Sequence, residues 1–308
     1  MRNAFINTIL EGSVKRPEVF IISGDAGLGV FDQFKEKFPR RFLNLGVAEQ
    51  NAASFSAGLA LCGFKVYLYN IIPFLLYRCY EQVRNDICYQ KLPIVLAGIG
   101  SGITYALQGM THYSVEDIGL ALTLPNLTVI SPIDPIEAKL AGEFSFDCKN
   151  PLYVRLPKRG EPLIHKNANF DITKPRLVQS GEEVAIIFHG SISLEVLKAA
   201  EMLKKAKIYP KLISVPMLKP LDFKTLFSHL KNVKYVLSVE EHYLASGLGS
   251  ILAREYIAQN PKWRLFSLGL PDKFIHEIKD LDGMREYFGI SARKIALFVK
   301  NILRKKKG

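Results

Sequence analysis

Short β-branched runs alternate with helical patterns along most of this chain, which restricts it to parallel-sheet α/β architectures. In the first half the strand candidates are VFIISG (19–24), KVYLYN (65–70), PIVLAGI (93–99), LTVISP (127–132) and LYVRL (152–156). Helical patterns fall between them, over residues 47–62, 74–90 and 134–146. In SPIDPIEAKLAGEF, Asp134 is placed to cap a helix with Pro135 in its first turn. A second unit repeats the scheme. EVAIIFHG (183–190), YPKLISV (209–215) and KYVLSVEE (234–241) read as strands, SLEVLKAAEMLKKA (193–206) and SGLGSILAREYIAQN (246–260) as helices. From Lys158 to about Gly181 the chain is polar, Pro-containing and without periodicity. The expectation is two consecutive α/β domains with mostly parallel sheets, residues 1–165 and 181–308, joined by a linker over 166–180.

A length of 308 residues suits two cores, and 48% hydrophobic with 23% charged residues is the balance of a soluble globular protein. The net charge is +12, but the basic residues are spread out except in RKKKG at 304–308. No basic stripe or nucleic-acid motif stands out, so a solvated surface is expected, and no nucleic-acid partner. Such a field does attract anionic small molecules such as sugar phosphates. Cys62, Cys79, Cys88 and Cys148 lie in apolar sequence without CxxC spacing and read as buried, reduced thiols. MRNAFINTIL does not read as a signal peptide. The longest apolar stretch, VYLYNIIPFLLY (66–77), contains Asn70 and Pro73 and falls short of the ~20 residues a membrane span needs. A cytoplasmic protein without membrane contact is expected. The glycine clusters SGDAGLG (23–29) and SGLGS (246–250) miss the dinucleotide spacing, and GIGSG (98–102) misses the nucleophile elbow.

The stretch LNLGVAEQNAASFSAGLALCGF (43–64) sets Glu49 just ahead of a run, Ala52 to Gly63, that has no charge. It reads as a helix packed closely on every side, with Gly58 admitting another backbone. A first-turn Glu has an ordinary explanation in the helix dipole. The segment GVAEQN, however, resembles the GIAEQH and GIREH segments of transketolase and deoxyxylulose-phosphate synthase. FPRRFLNLGVAEQN, NDICYQKLPIVLAG, GMTHYSVEDIGL, LPNLTVISPIDPIEA, LKPLD and LGLPDKFI resemble further segments of those enzymes, in the same order, across nearly the whole chain.

The resemblance implies a pyrimidine-binding domain for thiamine diphosphate followed by a transketolase C-terminal domain. It assigns Glu49 to N1′ of the aminopyrimidine, where a carboxylate in an apolar pocket favours the tautomer able to take the thiazolium proton. It places Phe74 and Tyr77 against the pyrimidine; Tyr80, one turn later, is equally readable as a core residue. His112, in GMTH, matches the histidine beside the reacting carbons. Asp25 matches an aspartate near the cofactor, or is a turn residue. Arg2 and Lys158 fall where transketolases bind the donor phosphate. The alternatives are a disordered terminus for Arg2 and a solvated Lys158–Arg159 pair.

The sequence also departs from that pattern. Gln108 stands where transketolases usually carry an aspartate that reads a donor hydroxyl. A phosphate-binding histidine falls at Gly100, and a phosphate-binding serine at Gly29. The GDG motif that, with a later Asn, holds the diphosphate and Mg²⁺ (or Ca²⁺) occurs nowhere in the chain. The metal site is therefore expected on a separate N-terminal subunit, in an assembly with two copies of each chain, and no metal ligand is expected here. The function implied is the C-terminal subunit of a split transketolase that moves a two-carbon ketol unit between sugar or sugar-phosphate substrates. Two alternatives stay open: a 2-oxo acid decarboxylating acyltransferase acting on a modified sugar, and a non-catalytic partner of a complete transketolase.

Overall fold

The structure is a computed structural model and describes residues 1–27, 29–158 and 161–304. Arg159 and the tail beyond Arg304 lie outside the described residues. The first half supplies β1 (Val19–Ser23), β2 (Phe42–Asn44), β3 (Lys65–Ile71), β4 (Val95–Ile99), β5 (Thr128–Ile130) and β6 (Leu152–Leu156). The second half supplies β7 (Arg176–Gln179), β8 (Glu182–Phe188), β9 (Pro210–Ser214), β10 (Met217–Lys219), β11 (Tyr235–Tyr243) and β12 (Arg264–Leu270). They form a seven-stranded sheet, β10-β5-β6-β4-β3-β1-β2, and a five-stranded sheet, β12-β11-β8-β9-β7. Pairing is parallel throughout, except that β10 runs antiparallel to β5 and β7 antiparallel to β9. Every residue of β4 and β6 is buried, as expected of central strands covered on both faces. The two-domain α/β expectation is met.

Several local expectations change. The stretch read as linker contains β7, and His165 just before it, in the same polar segment, is buried. A polar strand at a sheet edge has too little apolar alternation to be seen in sequence. Arg2 is not in a disordered terminus: it opens the helix Arg2–Gly12, and the buried Met1 ammonium lies 3.0 Å from the Glu161 carboxylate. The pattern over 74–90 is not one regular helix but two wide π-type turns, Pro73–Tyr77 and Val83–Cys88, around a short α-turn. Such turns shift the side-chain register and recur at functional sites.

Glu49–Leu61 is a helix, but it is not packed on every side. Glu49, Ala52, Ala53, Ser56, Ala57 and Ala60 are buried, whereas Phe55 is 41% and Leu61 65% exposed. A Cβ on Gly58 would meet nothing within 4 Å among the described residues, so none of them packs backbone against it. Cys62 follows this open face and is exposed, and Cys148 is only partly buried, contrary to expectation.

A buried polar seam joins the halves. Arg155 Nε and the Tyr153 hydroxyl donate to Asp117 at 2.6 and 2.7 Å, and Arg155 Nη2 donates to the carbonyls of Ser114 and Glu241 at 2.8 and 3.1 Å. The Glu241 carboxylate in turn accepts from Ser191 and Arg285, both at 2.6 Å. Buried charges persist only when paired in this way. The SGLGS cluster also finds its reason here. Glu240 accepts from the amides of Leu248 and Gly249, at 2.7 and 2.8 Å, and a Cβ on Gly247 would sit 2.0 Å from the Glu240 carboxylate. The glycine lets an internal carboxylate reach a helix start.

Candidate active site

Glu49 lies at the start of its helix, where the dipole favours an anion, and its side chain is buried. Its Oε2 accepts from Arg78 Nη1 at 2.8 Å. The Arg78 side chain is 43% exposed, so the pair sits at the lip of the core rather than inside it. The same guanidinium lies 4.6 Å over the Phe74 ring. Phe74 meets the His112 imidazole edge-on at 5.3 Å, and the Tyr105 ring lies 5.9 Å from the same imidazole. Lys158 Nζ is 4.8 Å over the Tyr105 ring. A continuous row therefore runs Glu49, Arg78, Phe74, His112, Tyr105, Lys158. Three rings lie between an ion pair at one end and a cation at the other, an arrangement that suits a flat heterocycle at one end and an anion at the other.

The strand ends, loops and helix starts after β2, β3, β4 and β6 bring these groups together. His112 comes from a short 3₁₀ turn, Met110–His112, and Thr111 Oγ1 lies 2.9 Å from its Nδ1. Arg2 stands near the same end on the first helix, where its charge acts on Tyr69 and Tyr105. Burial pushes Tyr69 up to about 12, with Arg2 opposing, and burial likewise raises Tyr105 against Arg2. Both phenols thus stay neutral beside two cations, Arg2 and Lys158.

Other expected residues sit apart. The Tyr77 hydroxyl donates to Glu116 Oε2 at 2.9 Å and accepts from the Glu116 amide at 3.2 Å. Burial, reinforced by Asp117 and Glu116, pushes Tyr77 well above its ordinary pKa, while burial raises Glu116 against the pull of the Tyr77 hydrogen bond. Tyr80 bonds the Thr123 hydroxyl. Both tyrosines are thereby tied to the segment around the helix Asp117–Thr123. Asp25 and Gln108 are exposed, and no side-chain hydrogen bond or ion pair ties either to the row among the described residues.

Gly100 has φ +92, and a Cβ there would lie 2.2 Å from the Tyr105 ring. The space that a side chain at position 100 would enter is filled by Tyr105. Gly29 lines, with Arg2 and Gln33, a cavity of about 360 Å³. Among the described residues no group of three or more His, Cys, Asp or Glu side chains is arranged to hold a metal ion, and no helix is long and apolar enough to cross a membrane. Arg78 and Tyr105 are not among the residues that the sequence singles out. A lone arginine in the otherwise apolar run PFLLYRCY was the available signal for the first.

Two family models match the chain: "Transketolase, pyrimidine binding domain" over residues 1–161 and "Transketolase, C-terminal domain" over 174–295. One subunit of the apulose-4-phosphate transketolase of Actinobacillus succinogenes is 31% identical over 297 residues, 96% of this chain and 94% of that protein. A putative transketolase C-terminal section of Methanocaldococcus jannaschii is 31% identical, covering 99% and 96%. The 1-deoxy-D-xylulose-5-phosphate synthase of Caldanaerobacter subterraneus subsp. tengcongensis is 33% identical over 96% of this chain, which spans only 47% of that protein. Among solved structures, a split gene transketolase described as an inactive beta4 tetramer superposes with a TM-score of 0.86 at 27% identity, covering 97% and 96% of the two chains. A Pichia stipitis transketolase mutant, at 18% identity and TM-score 0.82, shares the fold.

Proposed function

Since the chain belongs to the transketolase family, with a pyrimidine-binding domain followed by a C-terminal domain, we propose that it is the C-terminal subunit of a two-part transketolase. In this reading it moves a two-carbon ketol unit between sugar or sugar-phosphate substrates. One observation carries it: the chain matches, nearly end to end, relatives named as a subunit or section, yet spans less than half of a single-chain synthase.

Thiamine diphosphate, which the family implies, supplies an electron sink for making and breaking carbon–carbon bonds. The buried Glu49 carboxylate, steadied by Arg78, suits a proton-sharing contact with the aminopyrimidine. Phe74 offers that heterocycle a ring, and Tyr77, fixed by Glu116, shapes the wall behind it. Tyr80 and Asp25 take supporting places around the cofactor. His112 stands between Phe74 and Tyr105, where it holds or moves a proton on the substrate. Arg2 and Lys158 receive the donor's anionic group, and Gln108 reads its polar end. The missing GDG motif supports a separate N-terminal subunit as holder of the diphosphate and Mg²⁺ or Ca²⁺. The assembly proposed has two copies of each chain.

Tyr105, seated where a side chain at position 100 would go, favours a second reading in which the donor is a 2-oxo acid. The test begins with a pull-down from native lysate and mass spectrometry. Recovery of a chain carrying GDG and a downstream Asn permits reconstitution with thiamine diphosphate; recovery of this chain alone would sink the split-enzyme reading. In the reconstituted pair, ketol transfer supports the first reading and CO₂ release from pyruvate the second. Glu49→Gln should lower turnover of the pair by about 10²-fold or more while leaving the melting temperature nearly unchanged.

A further inference from the structure

A cavity of about 670 Å³ lies within the second domain, between the edge strand β12 and the last turns of the helix Ala292–Arg304. None of its lining residues belongs to the Glu49 row. Three half-buried rings form its apolar side: Tyr235 and Phe266, with centroids 6.3 Å apart, and Phe298, 6.1 Å from Phe266. Lys262, Arg264 and Arg304 bring three positive charges to it, and none of the three has an ion-pair partner among the described residues. A fourth cation, Lys234, also lines the cavity and is bridged to Glu183 at 2.6 Å.

Charged residues on an edge strand commonly guard it against pairing with another chain. That explains Lys262 and Arg264 taken alone. It does not explain why a third cation converges on the same hollow from a helix, or why the hollow is backed by three rings. Unneutralised like charges around a concave, partly apolar surface focus a positive potential into it. Guanidinium groups match phosphate oxygens two at a time, and aromatic rings offer a planar heterocycle a stacking surface. The volume is that of an ordinary small-molecule site.

We propose that this cleft binds a nucleoside phosphate, with the base against Phe266 and Phe298 and the phosphates at Arg264, Lys262 and Arg304. The site is independent of the transketolase reading, because it shares no residue with the Glu49 row.

The test is calorimetric titration of the full chain with ADP, adenosine, inorganic pyrophosphate and a four-nucleotide RNA. ADP should bind one to one, with adenosine and pyrophosphate each at least about tenfold weaker, because both halves of the ligand are held. Arg264→Ala and Phe266→Leu should each weaken ADP binding by about fivefold or more, and higher salt should weaken it further. Lys262→Ala, at an exposed position, serves the same purpose if Phe266→Leu disturbs folding as judged by circular dichroism. No ADP binding at about 1 mM, pyrophosphate or adenosine binding as well as ADP, or ADP binding indifferent to Arg264→Ala would each overturn the proposal. Tighter binding of the RNA than of ADP would overturn it too, since the cleft would then belong to a polynucleotide surface.

Discussion

Glu137, whose carboxylate meets Ser214 of the second half, allows a second buried polar contact between the halves to be measured. Its carboxylate is fully buried, accepts from the Ile133 amide and the Ser214 hydroxyl, each at 2.8 Å, and has His165 Nε2 at 3.8 Å. Burial pushes its pKa up from an ordinary 4.5 to about 7, against the pull of His165 and of the two hydrogen bonds. The folded protein therefore holds this proton more tightly than the unfolded chain does. Its contribution to stability is complete below about pH 4.5 and is lost as the pH rises to about 7. A gap of about 2.5 at 1.36 kcal/mol per pH unit amounts to roughly 3 kcal/mol. Asp134 is held below its ordinary value, by hydrogen bonds from His165 and the Glu137 amide that outweigh burial. It acts in the opposite sense and at more acid pH, outside this window. Glu137→Gln keeps an acceptor for Ile133 and a polar group for Ser214 but has no proton to lose. Urea unfolding at pH 5, 6, 7 and 8 should find the variant within about 1 kcal/mol of the parent at pH 5 and on the order of 3 kcal/mol more stable than it at pH 8. A difference that stays constant across that range would refute the reasoning.

Asp117→Asn removes the charge that balances Arg155 inside the seam and should cost about 3–5 kcal/mol, read as a lower urea midpoint at unchanged slope. A loss below about 1 kcal/mol would mean the seam is not dry. Lys158→Ala in the reconstituted pair should raise KM for a phosphorylated donor by about tenfold and leave that for an unphosphorylated one unchanged, the loss of one charge-assisted contact. Equal effects on both donors would remove Lys158 from the anion site.

The strands were legible because their apolar runs are short, β-branched and bounded by turn residues; β1, β3, β4, β5 and β6 lie where those runs predict. The helix Pro135–Asp147 was announced by its cap, and the Asp134 carboxylate accepts from the Glu137 amide at 2.8 Å. Other elements carried weaker signals. β10 is three residues long, and the helix Arg2–Gly12 has Thr8 among its buried positions. The helix Ala292–Arg304 is amphipathic, with Ile295, Ala296, Val299 and Ile302 on one face, yet sequence analysis assigned no element beyond Asn260. At the site, the contrast between Glu49 and its uncharged surroundings was visible. Its pairing with Arg78 was not, because the two lie 29 residues apart, separated by a helix and strand β3, and meet only in the fold. The collision that reserves position 100 for glycine involves a ring five residues away across a loop, and only the folded loop reveals it.

β10 belongs to the second half by sequence, yet it completes the sheet of the first, antiparallel to β5. Lys219 at its end closes the carbonyls of Ala121, Leu122 and Leu124 where the helix Asp117–Thr123 stops. The halves are thus not interchangeable cassettes. A recombination that exchanged everything after the connector for a foreign domain would strip β5 of its neighbour and leave a bare, adhesive edge. Modularity in this chain ends at three residues: a graft keeps the first sheet whole only if it carries Met217–Lys219, in register, along with it.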